Sequence, residues 1–170
     1  MDPALQASFN DQITLEHASE RAYLQMSAWA DAHDFTGAAA WLRGQAEEEA
    51  EHARTFMDFV LDRDGTVRLQ ALDAPRADFD DLPALFAAAL EHEGRVTASI
   101  GALYGAAQAA GDYSSIPLLT RFLNEQVEEE ASVRTIVGEL RMVAHDPSAL
   151  LMLDRELPAR RPTPAADASG

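Results

Sequence analysis

An acidic run set into an apolar helical seam is the feature that most limits how this chain can fold. Steps of three and four residues from Leu42 pass through Gln45, Glu49, His52, Phe56 and Phe59, the pattern of an amphipathic helix with one face in a core. Glu49 and His52 therefore stand where apolar residues belong, while Glu47, Glu48 and Glu51 fall beside or opposite them. A carboxylate in a core is costly unless something cationic meets it. Whatever fold is adopted must bring that partner to this point.

Three further segments carry the same kind of seam. The first helix is expected from about Pro3 to Ala32, through Phe9, Gln12, Glu16, Ser19, Tyr23, Met26 and Ala30, and Pro3 suits a first helical turn. A short connection at His33–Gly37, with Asp34 or Thr36 as candidate N-cap, leads into the second helix. That helix runs from about Gly37 to Arg63 and is stopped by Asp64-Gly65. So short a link makes the two helices antiparallel neighbours. Thr66 to Asp81 shows no helical period and contains Pro75. A connection of that length is uncommon inside a compact domain, and it is long enough to cross a bundle and start the third helix parallel to the second.

The third helix is expected from about Leu82 to Ala110, through Phe86, Ala89, Glu93, Val96, Ile100, Leu103 and Ala107. After a turn at Gly111–Ser115, the fourth runs from about Ile116 to Ala144, through Leu119, Phe122, Gln126, Glu129, Val133, Ile136, Leu140 and Val143. Beyond His145-Asp146-Pro147, Ser148 can cap a short fifth helix ending near Leu157. The expected fold is all-α: a four-helix bundle with one long crossover between helices two and three and a short fifth C-terminal helix. The expected division is a single domain over residues 1–157 and a disordered tail over 158–170, which is rich in Pro, Ala and small polar residues.

Every long helix breaks its seam near the middle with a polar group: Glu16 in the first, Glu49 and His52 in the second, Glu93 in the third, Gln126 and Glu129 in the fourth. The spacing repeats. Glu16 to Glu49 and Glu93 to Gln126 are both 33 residues, and a shift of 77 lays Glu16 on Glu93, Glu48 on Glu125, Glu49 on Gln126 and His52 on Glu129. The halves read as two copies of one helical hairpin related by a pseudo-twofold axis. Mid-helix seam positions converge at one level of a bundle, so four carboxylates, one imidazole and one amide meet in a small volume. Without a cation, like charges at such range force protonation. Oxygen-rich ligands with one nitrogen suit a divalent transition metal such as iron or manganese, and Glu49 with His52 on consecutive turns of one face suits two metals side by side. A lone mid-helix Glu, or a single i,i+3 pair, is commonly a solvated surface feature. Four helices broken at matched depth with one internal spacing are not.

Composition agrees with a cation-binding domain. At 170 residues and 47% hydrophobic, the chain can bury a core without staples. The absence of cysteine excludes disulfides, zinc–thiolate sites, iron–sulfur clusters and thiol catalysis together. A net charge of -16 repels nucleic acid and anionic membranes and attracts cations. No stretch approaches membrane-spanning length, and the first residues lack the basic start and apolar run of a signal peptide. A cytoplasmic protein with no nucleic-acid or membrane partner is expected.

The residues Glu16, Tyr23, Glu49-x-x-His52, Glu93 and Gln126-x-x-Glu129 resemble those of the bacterial non-haem ferritins, over about Leu5 to Leu157. The strings Gln25-Met-Ser-Ala-Trp29, Phe35-Thr-Gly-Ala-Ala-Ala-Trp-Leu-Arg43 and Glu125-Gln-Val-Glu-Glu-Glu130 carry the resemblance further. It implies that Glu16, Glu49 and His52 hold a first iron with Glu49 bridging, and that Glu93 and Glu129 hold a second with Gln126 close by. It also implies a third, inner iron site on Glu48, Glu125, Glu128 and the shared Glu129. Tyr23 matches a tyrosine beside the centre that hydrogen-bonds a ligand or supplies an electron, and reads equally well as a core aromatic with a polar tip. Haem-binding relatives have a second Glu-x-x-His in helix four and a haem-ligating Met after the bridging Glu. Here those places hold Gln126-x-x-Glu129 and Ala50, so no haem is expected.

The function implied is iron storage with ferroxidase activity: ferrous ion oxidised with dioxygen or hydrogen peroxide and stored as ferric mineral in a hollow shell of 24 copies, the fifth helix lining fourfold pores. Glu51 and Glu130 are read as solvated acids or as nucleation sites facing the cavity, and Asp112 lies where the family has an entry route. The rivals are a rubrerythrin-like di-iron peroxidase, which would carry a cysteine-ligated iron, a DNA-protecting mini-ferritin, which lacks the fifth helix, and an acidic helical scaffold without metal. His17, His33, His92 and His145 are expected on the surface or in packing, and Trp29 and Trp41 in the core or an interface.

Overall fold

The computed structural model describes residues 1–160. Among them lie α1 (Pro3–Ala32), α2 (Thr36–Leu61), α3 (Leu82–Ala109), α4 (Ile116–Val143) and α5 (Pro147–Glu156), then a closing 3₁₀ turn at Leu157–Arg160. The first three residues of the expected tail fall within that turn, and residues 161–170 lie outside the described chain. No described helix is long and apolar enough to cross a membrane.

Three of the five α-helix starts follow from a cap by the residue just before the helix. Asp2 caps α1 by accepting from the N–H groups of Ala4 and Leu5 at 2.9 and 3.1 Å, and Asp81 caps α3 through Ala84 N–H at 2.7 Å. For α5 the cap is Asp146, not Ser148, because Pro147 occupies the first helical position. At α4 the N-cap residue Ser115 makes no side-chain cap, and α2 takes its cap from elsewhere in the chain. Neither Asp34 nor Thr36 caps it; the N-cap position is Phe35, which offers no side-chain acceptor. Asp34 instead takes a positive φ of 65° where the chain leaves α1. The N–H groups of Gly37 and Ala38 donate to the buried carboxylate of Asp154, on α5, at 3.1 and 2.8 Å. A residue 117 positions away thus satisfies the orphan donors of α2.

α1 pairs most extensively with α2 and α3 with α4; α1 touches α3 across the hairpins, and α5 lies on α2 and α4. The crossover is strapped along α1. Asn10 and Gln6 bond the backbone of Thr66 at 3.1 and 3.0 Å near the start of that helix. Buried Phe79 stands edge-on to Trp29 near its other end, with centroids 5.8 Å apart. Nineteen helical residues from Asn10 to Trp29 span about 28 Å, so the connection crosses the length of the bundle.

The apolar core is divided. One cluster includes Trp29, Trp41, Leu42, Phe86, Val137 and Leu140; the other includes Phe9, Ile13, Phe56, Val60, Ile100 and Phe122. Between them lies a buried layer of Gln12, Glu16, Ser19, Gln45, Glu49, Glu93, Gln126 and Glu129. The broken seams of the four helices meet in this layer.

Candidate metal centre

Glu16 on α1 and Glu49 on α2 are 0% and 3% exposed, and half-buried His52 lies one turn beyond Glu49. One ligand atom from each of the three lies within 4.8 Å of the others, a grouping that could hold a metal ion. No other trio of His or acidic ligand atoms meets that distance among the described residues. His52 Nδ1 is 3.4 Å from Glu49 Oε2. The ring of His52 stands edge-on to Phe122 at 5.1 Å, which fixes its plane.

The carboxylate oxygens are not equivalent. Glu16 Oε1 accepts from Gln12 Nε2 at 2.8 Å, and Gln12 Oε1 accepts from Ser99 Oγ at 2.6 Å. Glu16 Oε2 and Glu49 Oε2 are buried without a hydrogen-bond partner among the described residues. Buried polar atoms are nearly always paired, so two such acceptors beside one imidazole have the chemistry to hold a divalent cation. Glu93, by contrast, is held on both oxygens. Tyr23 OH donates to Oε1 and Gln126 Nε2 to Oε2 at 3.1 Å. Glu129 Oε2 accepts from Gln45 Nε2 at 2.9 Å. The Glu93 and Glu129 carboxylates are thus engaged with neutral donors instead of gathered into a second trio.

Electrostatics follow from this crowding. Burial, then the neighbouring Glu49 charge, holds Glu16 well above the ordinary carboxylate range. Burial and Glu93 do the same for Glu49. Glu93 is raised by burial, against donation from Tyr23 and Gln126. Burial, with Glu48 and Glu93, pushes Glu129 up to about 8. Each shift comes first from burial, opposed at Glu16, Glu93 and Glu129 by His52, and a divalent cation at this level would favour the charged forms.

Tyr23 is a buried aromatic whose polar tip reaches the layer. Its hydroxyl is spent on Glu93, and burial followed by the Glu93 charge holds the phenol well above its usual value. Behind it, His92 is 5% exposed and edge-on to the Tyr23 ring. His92 Nδ1 lies 2.9 Å from Arg95 Nη2, and Nε2 lies 2.7 Å from Ser19 Oγ. A guanidinium only donates, so Nδ1 accepts and Nε2 carries the proton. Burial and Arg95 push this imidazole down to about 4. His92 is therefore a neutral packing residue. His33 stacks on Trp29 at 3.9 Å, His17 pairs with Glu20 at 3.3 Å, and His145 is exposed.

The residues expected at an inner site are less tightly placed. Glu48 and Glu125 are half-buried and Glu128 is exposed. Glu125 pairs with Arg121 at 3.3 Å, but its Oε2 is buried with no hydrogen-bond partner among the described residues. Glu51 is exposed; Glu130 accepts from Thr97 at 2.8 Å and pairs with Arg134. Asp112 is bound to Arg63 at 2.7 Å, which ties the end of α2 to the α3–α4 turn. The layer also includes donors not singled out as functional from the sequence, namely Gln12, Gln45, Ser99 and Thr97. Gln12 and Gln45 had a legible signal: each is a polar residue on an apolar seam, one turn before Glu16 or Glu49.

Residues 6–143 match the family model of the ferritin-like domain. The chain belongs to the ferritin-like family. A bacterial non-heme ferritin of Escherichia coli is 34% identical over 157 residues, covering 92% of this chain and 95% of that protein. A bacterial non-heme ferritin of Staphylococcus aureus is 33% identical over 153 residues, covering 90% and 92%. Among solved structures, the open pore ferritin of the archaeon Archaeoglobus fulgidus superposes with a TM-score of 0.92 at 37% identity, covering 95% of this chain and 98% of that one. A closed form of that ferritin, engineered by site-directed mutagenesis, gives 0.92 at 37%, covering 96% and 99%. The four long helices are thus those of a ferritin-like bundle.

Proposed function

We propose that this ferritin is an iron-storage ferroxidase whose substrate ions enter the buried layer at Glu16, Glu49 and His52. The observation that carries the reading is the pair of orphan carboxylate oxygens on Glu16 and Glu49 facing His52. These residues take one ferrous ion. Glu93 and Glu129 take a second by exchanging their amide and phenol donors for metal, with Glu49 between the two and Gln126 beside them. Each ion gives one electron to dioxygen, and two protons complete hydrogen peroxide, leaving two ferric ions. Pairing matters because dioxygen receives both electrons in one encounter, so superoxide is not released. Hydrogen peroxide can serve as the oxidant in turn. The carboxyls that bind ferrous ion must first lose the protons their burial favours, which supplies acid groups inside the site.

Ferric product moves inward past an inner site at Glu48, Glu125, Glu128 and Glu129, into the cavity of a shell of 24 copies. Ala50 offers no ligand atom where a haem-binding relative has one, so no haem is assigned. The net charge of -16 suits a soluble, cytoplasmic cation store with no nucleic-acid partner. The rubrerythrin-like reading lacks its cysteine-ligated iron, since the chain has no cysteine.

Aerobic addition of ferrous ion tests this directly. The native protein is expected to oxidise it rapidly and keep it soluble, while Glu49→Ala and His52→Ala lower the initial rate by about 100-fold or more. An unchanged rate in both variants removes the site. Size-exclusion chromatography tests the shell, which a monomer or dimer would contradict.

A further inference from the structure

Gln45 belongs to none of the ligand sets above, yet it is 1% exposed and lies in the middle of the polar layer. Its two amide atoms are used unequally. Nε2 donates to Glu129 Oε2 at 2.9 Å, whereas the carbonyl Oε1 is buried with no hydrogen-bond partner among the described residues. An amide turned this way serves the carboxylate and strands its own oxygen, and a stranded buried carbonyl is costly. Gln45 stands one turn before Glu48 and Glu49 on α2. Facing it from α4 is Glu129, and one turn before Glu129 the Oε2 of Glu125 is also buried and unpartnered. Two oxygens without a hydrogen-bond partner among the described residues thus belong to neighbours of the carboxylate that the proposed function assigns to both the paired and the inner ions: Gln45, whose Nε2 touches it, and Glu125, one turn before it on α4.

We propose that Gln45 is a ligand residue of the inner site: its carbonyl Oε1 serves a divalent cation there as a neutral oxygen donor, while its N–H holds Glu129 in the orientation shared with the paired centre. A neutral donor suits the place. Glu48, Glu125, Glu128 and Glu129 already carry more negative charge than one divalent ion needs, and a further oxygen without charge adds coordination without adding repulsion. The assignment rests on the di-metal and inner-site reading above and extends it to a residue that reading does not use.

The test is anaerobic titration with cobalt(II), a redox-stable stand-in for ferrous ion, on the native assembly and on Gln45→Met, which keeps the volume and removes both amide atoms. The native protein is expected to bind three equivalents per chain; if it binds none at Glu16, Glu49 and His52, the functional reading itself fails. In Gln45→Met the weakest equivalent is expected to lose about 10-fold or more in affinity, with the tightest one within about twofold of native. The metal-free variant should melt within about 4 °C of native, since an orphan carbonyl is removed together with one hydrogen bond. Three unchanged equivalents overturn the assignment. So does a parallel weakening of all three, or a variant that fails to fold, because either makes Gln45 a structural residue only.

Discussion

Within the buried polar layer, the carboxylates differ in what meets them. Glu16 Oε2 and Glu49 Oε2 have no hydrogen-bond partner among the described residues, the latter lying 3.4 Å from His52 Nδ1, while Glu93 is clamped by Tyr23 and Gln126. All four acids are held above the ordinary carboxylate range, Glu129 at about 8, so the metal-free fold carries protons that the unfolded chain would release. The sign follows from linkage. Folded-state pKa values raised above the unfolded ones give stability that is fully present below the ordinary carboxylate range and is lost as pH rises toward about 8. Metal-free protein is therefore expected to melt at lower temperature in mildly alkaline than in mildly acidic buffer, and cobalt(II) binding to release protons. Calorimetric titration in two buffers of different ionisation enthalpy measures that release; no buffer dependence would contradict it. Tyr23→Phe removes a donation that lowers the Glu93 value. A higher Glu93 pKa makes metal compete with a more tightly held proton, so affinity for a second equivalent should fall about 10-fold in acidic buffer and recover as pH rises.

The elements hold the layer in register through contacts between segments far apart in sequence. Asp154 places α5 by capping α2 with both carboxylate oxygens, and the approach is so close that a Cβ on Gly37 would lie 1.8 Å from the Asp154 carbonyl oxygen. That neighbour is backbone and cannot swing aside. Gly37→Ala is expected to destabilise by about 1–3 kcal/mol through overpacking. Asp154→Ala should cost about 1–3 kcal/mol by leaving two buried N–H groups without acceptors. Urea unfolding measures both, and limited proteolysis should cut first within α5. Midpoints equal to native would show that the cap carries no weight. The helix spans and their seam residues were legible in the sequence because 3.6-residue periodicity is local. The α2 cap was not, because its acceptor comes from the other end of the chain. Asp34 and Thr36 had suitable chemistry, but the chain enters α2 through Phe35 and spends Asp34 on a left-handed turn.

Taken whole, the described chain is two apolar cores separated by a buried polar layer of side chains. Metal bound at that level, as proposed, would link the halves, and anything that binds the native state alone stabilises it by mass action. Saturation with cobalt(II) at 100 times its dissociation constant is expected to add about 2.7 kcal/mol for each equivalent bound, read as a rise in melting temperature that chelator reverses; no rise would show that the native state does not bind the metal in preference to the unfolded chain. By itself the sequence determined the all-helical bundle, the long crossover and the ligand candidates, because each rests on periodicity and on polar residues interrupting it. The tertiary structure decided which oxygens are free. Glu16, Glu49 and His52 converge with unpaired atoms, Glu93 and Glu129 are met by Tyr23, Gln126 and Gln45, and Asp154 reaches back to α2. Hydrogen-bond partners across a core depend on side-chain positions in space, and no spacing along one chain encodes them.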